Sequence, residues 1–226
     1  SGLLGMPNNI SDNKNFVASN PYKHYADEDL FNFLKSFAPT KVPGTVHEYS
    51  NLATGLLGVI LERVYQKSFE ELLQEKICKP LQIENMHLQS SAKQLEMMAQ
   101  GHNATLALSP PWDFQALAAA GGIRADLDDM IAYAQNQINL RNSQLYEKIS
   151  LAHQSTFQGA PNGETGLFWV KTNVQGKSFH WHNGKTGGYS SFMAFEKNRK
   201  IAIVLLSNAS NDLTQVGMQM MAQLSK

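Results

Sequence analysis

Tyr49-Ser50-Asn51 stands where a loop turns into an apolar segment, so its side chains can project into a cleft while the following helix anchors them. A tyrosine held this way shuttles protons. The ordinary phenol pKa is about 10, so service as a base near neutrality requires a neighbouring cation that favours the phenolate. Asn51 carries a donor and an acceptor on one amide. The triplet has a purely structural use as well, with Tyr49 packed as an aromatic and Asn51 capping the helix that begins at Leu52.

The second group is His182-Asn183-Gly184-Lys185-Thr186-Gly187-Gly188, a polar, glycine-rich run that ends one strand pattern and leads into another. Glycines let a substrate approach the backbone, an edge strand can present N–H groups to a carbonyl oxygen, and His182 adds a proton donor or polar contact. Its structural alternative is a hairpin turn with a surface histidine.

The elements that must position these residues follow from periodicity. Residues 1–26 are rich in Asn, Gly, Pro and Ser and read as an irregular surface segment. Asp27 is positioned to cap a helix carrying Leu30, Phe31, Phe33, Leu34 and Phe37, which ends before Pro39. From Asn51 to Gln66, Leu52, Leu56, Leu57, Val59, Ile60 and Val64 form a broad apolar face suited to a buried helix. Ser68 and Glu71 form a capping box for the next helix. Helices are expected at 126–140 and 143–153. From Gly166 the period becomes two, and strands at 166–174, 178–182, 189–195 and 200–207, joined by Gln175-Gly176, Gly187-Gly188 and Lys197-Asn198 turns, read as an antiparallel meander. A closing amphipathic helix over 211–224 is able to cover one sheet face. Residues 1–165 thus form a mostly helical region with Tyr-x-Asn, and 166–226 a meander and helix with His-x-Gly, in one structural domain.

Composition narrows the function classes. With 226 residues, 42% of them hydrophobic, the chain can bury a substantial core. Basic and acidic residues both number 19, and no basic stripe suggests nucleic acid or an anionic membrane. Small neutral or zwitterionic ligands fit better. The apolar run Ile201–Leu206 is far too short to span a bilayer. The single cysteine, Cys78, lies in an apolar helix-end context that points to packing. No metal-ligand pattern and no cofactor signature stand out. The chain begins at Ser1 without Met, so the expectation is a longer precursor.

Taken together, the motifs and their surroundings resemble the class C-like β-lactamase, DD-peptidase and esterase superfamily of serine hydrolases across nearly the whole chain. Ser1-Gly2-Leu3 resembles the end of its Thr-Ser-Gly-Leu segment. Pro43-Gly44-Thr45, Tyr49-Ser50-Asn51 and Gly55-Leu56-Leu57-Gly58 resemble its second motif and helix, Pro80-Leu81 the following helix end, and Ala119-Ala120-Gly121-Gly122-Ile123 with Asp129-Met130 the next block. A literal Lys185-Thr186-Gly187 exists, but aligning Thr186-Gly187-Gly188-Tyr189 with the family's turn places the third motif at His182-Asn183-Gly184. The cation that binds a drug carboxylate is then missing, which argues against a dedicated β-lactamase.

The resemblance implies an α+β, β-lactamase/transpeptidase-like fold: an antiparallel sheet flanked by helices, with a mostly helical subdomain and the N-terminal part absent. It implies acyl-enzyme chemistry on a peptide, ester or lactam carbonyl. Tyr49, Asn51, His182 and the Lys185 backbone N–H take the catalytic positions, and Asn183, Gly184 and Thr186 take substrate-binding ones. No cofactor is implied, and the location is periplasmic or secreted. The mechanism also needs Ser-x-x-Lys on a buried helix. Ser11-Asp12-Asn13-Lys14 and Ser90-Ser91-Ala92-Lys93 match literally, but neither opens an apolar helix. The nucleophile is expected upstream of Ser1, on an N-terminal fragment of the same protein. The alternative is a non-catalytic fragment or pseudoenzyme that serves as a binding or structural module.

Overall fold

The computed structural model describes residues 5, 7, 9–174 and 176–225. Ser1-Gly2-Leu3, and Gln175 of the Gln175-Gly176 turn, lie outside the described residues. Helix α1 (Asp27–Ser36) carries three acids in its first turn, and the Ala26 N–H donates to the Asp29 carboxylate at 3.0 Å. Asp27 is therefore the first helical residue and not the cap. Helix α2 (Asn51–Tyr65) is capped by Ser50, whose Oγ accepts from the Ala53 N–H at 2.8 Å, which frees the Asn51 amide from capping. The Ser68–Glu71 capping box opens α3 (Phe69–Leu73), which runs through a π-helical turn at Gln74–Cys78 into α4 (Lys79–Leu81). Next come α5 (Ala92–Met97), α6 (Ala118–Gly121), α7 (Leu127–Gln137), capped by Asp126, and α8 (Tyr146–Ala152).

Strands β1 (Phe157–Ala160), β2 (Gly163–Thr165), β3 (Val170–Val174), β4 (Lys177–Thr186), β5 (Tyr189–Glu196) and β6 (Ile201–Ser207) pair in sequence order as one antiparallel sheet. Helix α9 (Thr214–Leu224) ends the chain. The expected continuous strand at 166–174 is instead broken. Gly166 lies where a Cβ would come within 2.5 Å of the Ala152 carbonyl oxygen, and Phe168 takes a left-handed φ of 66°, so the chain turns before β3.

The chain divides into two compact units of non-contiguous segments. The first comprises Ser1–Gln74, His87–Arg124 and Thr186–Gly188. Its core gathers Tyr22, Tyr25, Leu30, Phe33, Leu52, Val59 and Leu117. Helix α2 meets α6 through glycines: a Cβ on Gly55 would lie 2.3 Å from Leu117 Cδ2, and one on Gly58 2.5 Å from Ala119 Cβ. That glycine face is the buried one. Leu57, Ile60 and Val64, expected inside, form with Tyr65 an exposed apolar stripe at helical spacing.

The second unit comprises Glu75–Met86, Ala125–Lys185 and Tyr189–Lys226 and contains the strands. Both faces of its sheet are covered, not one. Phe179, Trp181, Phe192, Ala194 and Ile203 face α9, where Gly217 admits the Phe192 ring so closely that a Cβ would meet it at 2.2 Å. Met193 and Phe195, with Ala202 and Val204, face α7 through Ala134 and Ile138. Burial on both faces explains why β5 and β6 read as apolar runs. On the α7 side two histidines are enclosed. His153 and His180 are 4% and 6% exposed, with ring centroids 5.0 Å apart, and His180 stacks on Phe195 at 5.1 Å. Gln137 Oε1 and the His153 carbonyl take one nitrogen of each ring, and both Nδ1 atoms have no hydrogen-bond partner among the described residues. Burial pushes the two pKa values down, to about 3 for His153 and about 4 for His180. Cys78 is buried, consistent with a packing role.

Candidate active site

Tyr49 and Asn51 belong to the first unit, at the entry to α2. With Ser50 serving as cap, the Asn51 side chain bonds instead to the hydroxyl of Tyr22. Tyr22 is buried and clamped by aromatics: its ring stacks on Phe114 at 4.6 Å and meets the edge of Trp112 at 5.3 Å. Tyr49 is 62% exposed, yet its hydroxyl is desolvated enough for its pKa to be pushed up. The Tyr22 pKa is raised as well, first by burial and then by the charge of Tyr49, with the Asn51 hydrogen bond opposing. Tyr22 was invisible in the sequence, because Asn20-Pro21-Tyr22 carries only turn signals.

Thr186 also belongs to the first unit, together with the Gly187-Gly188 turn. Its methyl lies 4.0 Å from where a Cβ on Gly121 would stand. Gly187 is required by close approach, since a Cβ there would meet the Trp112 ring at 2.4 Å, and Gly188 has a φ of 78° while its carbonyl accepts from the His102 N–H.

His182, Asn183, Gly184 and Lys185 belong to the second unit, on β4. Alternation along the strand divides them. His182 and Gly184 share the face of His180, while Asn183 and Lys185 share the face of Phe179 and Trp181. His182 is half-buried, and desolvation holds its pKa below the ordinary histidine value despite an opposing backbone hydrogen bond at Asn183, so its imidazole is neutral near pH 7. Gly184 leaves room for β5, as a Cβ would stand 2.6 Å from Ser191 Oγ. Asn183 donates through Nδ2 to Thr214 Oγ1 at 2.8 Å, at the start of α9. Asp212 lies beside them, its carboxyl held below the usual carboxylate range by Thr214, with Lys185 and Asn183 adding to the effect. Asp212 and Thr214 carried a signal that was legible only as a helix start.

Neither literal Ser-x-x-Lys occupies a buried helix. Ser11 is exposed in a turn. Ser90 precedes α5, which buries no residue, and Lys93 is exposed. Ser90 Oγ lies 2.8 Å from His87 Nε2 and 3.0 Å from Arg124 Nη1, which resembles a nucleophile with its base. The proton runs the wrong way. Gln94 Oε1 accepts from the Ser91 N–H and hydroxyl, so its Nε2 faces His87 Nδ1 at 3.1 Å; that nitrogen then carries the lone pair and Nε2–H donates to Ser90. A base must offer a lone pair there. Among the described residues no three His, Cys, Asp or Glu side chains gather as a metal-binding group, and no helix is long and apolar enough to cross a membrane.

The beta-lactamase family model matches residues 2–222. A beta-lactamase of Escherichia coli (strain K12) is 25% identical over 218 residues, covering 81% of this chain and 57% of that protein. A D-aminopeptidase of Gluconobacter oxydans (strain 621H) is 25% identical over 174 residues, covering 74% of this chain and 32% of the relative. The solved structure of a D-alanine carboxypeptidase from Burkholderia cenocepacia superposes with a TM-score of 0.80 at 18% identity, over 91% of this chain and 69% of that one. The fold is β-lactamase/transpeptidase-like, and the chain spans little more than half the length of its Escherichia coli relative. With Tyr-x-Asn opening α2, His-x-Gly on β4 and a family match running nearly end to end, this chain belongs to the beta-lactamase family of hydrolases.

Proposed function

We propose that the chain is the larger part of a serine hydrolase that works through an acyl-enzyme on a peptide, ester or lactam carbonyl, with its nucleophile on a segment preceding Ser1. The observation that carries this reading is the family match over residues 2–222 together with the two motifs it contains. In the reaction, the upstream serine attacks the carbonyl and its lysine neighbour helps to take the proton. Tyr49 relays protons to the leaving group, and Asn51, oriented by Tyr22, positions substrate. His182 and the Lys185 N–H flank the developing oxyanion. A neutral His182 suits hydrogen bonding to a peptide or ester better than capture of a drug carboxylate. The proposed location, the periplasm or the cell exterior, rests on family resemblance alone.

Two open surfaces, one apolar and one a strand edge, support this reading. In the first unit the α2 stripe of Leu57, Ile60, Val64 and Tyr65 is exposed. In the second unit β6 is an edge strand whose outer side pairs with no other strand among the described residues. A non-catalytic module is favoured only by the unactivated state of Ser90, and one experiment separates the readings. The 226-residue chain and the protein extended upstream are treated with a fluorescent fluorophosphonate. The expected label falls on a serine of an upstream Ser-x-x-Lys, with none on the shorter chain. Labelling at Ser11 or Ser90, or an extended protein that takes no label, overturns the proposal.

A further inference from the structure

Asn183 is exposed on β4 between buried Trp181 and exposed Lys185, yet its amide is not free to turn. The Thr214 hydroxyl has one proton to give. It lies 2.6 Å from Asp212 Oδ1, and a carboxylate only accepts, so the proton points at Asp212. The Thr214 lone pair is then left for Asn183 Nδ2 at 2.8 Å. The same Asp212 oxygen accepts from the Thr214 backbone N–H at 2.8 Å, so two bonds fix that residue at the first position of α9. One residue further on, Gly184 is pressed against Ser191 of β5. The motif strand is thus clamped from two directions at adjacent residues.

We infer that Asp212 and Thr214 are positioning residues for the His182-Asn183-Gly184 strand: Asp212 orients the Thr214 hydroxyl, which holds the Asn183 amide and so sets where the backbone of Gly184 and Lys185 presents itself. Neither residue touches substrate, since both act on the Asn183 face of the strand, opposite His182. The inference rests on the reading of β4 as the carbonyl-flanking strand. The simpler role, in which Asp212 only caps α9, makes a different prediction: removing the hydroxyl then weakens the helix and leaves residues 182–185 undisturbed.

The test uses Thr214→Val, Thr214→Ser and, as a second removal of the hydroxyl, Thr214→Ala. In isotope-labelled 226-residue chain, Thr214→Val is expected to shift the backbone amides of residues 182–185 and to speed solvent exchange of the Asn183 side-chain amide about tenfold, as expected for one lost hydrogen bond, while Thr214→Ser keeps both near the parent. In the upstream-extended protein, kcat is expected to fall about tenfold for Thr214→Val with KM changed by less than about twofold, and Thr214→Ser to recover most of it. Unchanged strand amides in both Thr214→Val and Thr214→Ala overturn the inference, as does a kcat loss that serine does not rescue. If Thr214→Val does not fold, Thr214→Ala decides on the same readouts, because it removes the same hydroxyl and leaves Asp212 and residues 182–185 unsubstituted. An extended protein with no hydrolase activity would refute the acyl-enzyme reading instead, and the amide measurements still decide the positioning role.

Discussion

The Tyr49 corner and the His182 strand are held by different physics. Tyr49 and Asn51 project from a loop-to-helix junction whose order comes from a Ser50 cap, a buried Tyr22 and the Trp112 and Phe114 rings around it. His182 stands on a strand whose β3 partner runs from Val170 to Val174, in a sheet covered on both faces. Local hydrogen bonds and one aromatic cluster set the first, and a long-range ladder and two helical layers set the second. The second should therefore resist local change and fail cooperatively, whereas the first should respond residue by residue.

Acid is the strongest way to break this symmetry. His153 and His180 have folded pKa values of about 3 and about 4, below the ordinary 6.5, so the unfolded chain binds more protons wherever the pH lies under that value. Their effect on stability is absent above pH 6.5 and grows as a loss while the pH falls towards 4. Near pH 4.5 it amounts to on the order of 2 kcal/mol for each buried ring. Trp169 and Trp181 report on the second unit and Trp112 on the first. Their indole NMR signals are expected to show the second unit unfolding first on acidification, with His180→Gln moving the midpoint to lower pH. Simultaneous loss of all three signals would remove the distinction.

Steric substitutions come next. Gly217→Val drives a side chain into Phe192 and should cost about 3 kcal/mol, seen as a lower denaturant midpoint for the Trp169 and Trp181 signals. Gly58→Val, aimed at Ala119, should cost about 2 kcal/mol and act on the Trp112 signal first. Smaller still is the cap: Ser50→Ala should lower stability by about 1 kcal/mol and disturb the Tyr49 and Asn51 resonances more than those of His182. Tyr22→Phe keeps the ring packing and removes only the hydroxyl, so a loss of about 0.5–1 kcal/mol is expected, with the Asn51 side-chain amide shifted. A Tyr22→Phe protein with an unmoved Asn51 amide would show that Tyr22 is packing alone.

Much of the strand region was legible because alternation, glycine turns and β-branched residues act over a few positions. The Gly187-Gly188 and Lys197-Asn198 turns and the order of β3 to β6 emerge from those signals, whereas β1 and β2 fall in the region that reads as mostly helical. The break at Gly166–Phe168 was not, since it depends on a carbonyl from α8 lying close to Gly166. The exposed stripe on α2 was misread for a related reason: apolar periodicity gives a face, but glycine at Gly55 and Gly58 chose which face the neighbouring helix approached. Capping residues one or two positions apart, Ser50 for Asn51 and Asp29 for Asp27, turn on hydrogen-bond geometry that neighbouring polar residues satisfy equally well on paper.

By itself, the sequence determined the types and order of the chemical groups: Tyr49-x-Asn51 before His182-x-Gly184, glycines at the turn after them, and two Ser-x-x-Lys matches in polar surroundings. These are local properties, carried by side-chain chemistry and spacing along the chain. Only the tertiary structure decided that Asn51 answers to Tyr22, that Asn183 and Lys185 face away from His182, and that Asp212 and Thr214 stand behind the motif strand. Each of those outcomes joins residues many positions apart, and such pairings are set by packing and hydrogen-bond satisfaction, which spacing along the chain does not encode.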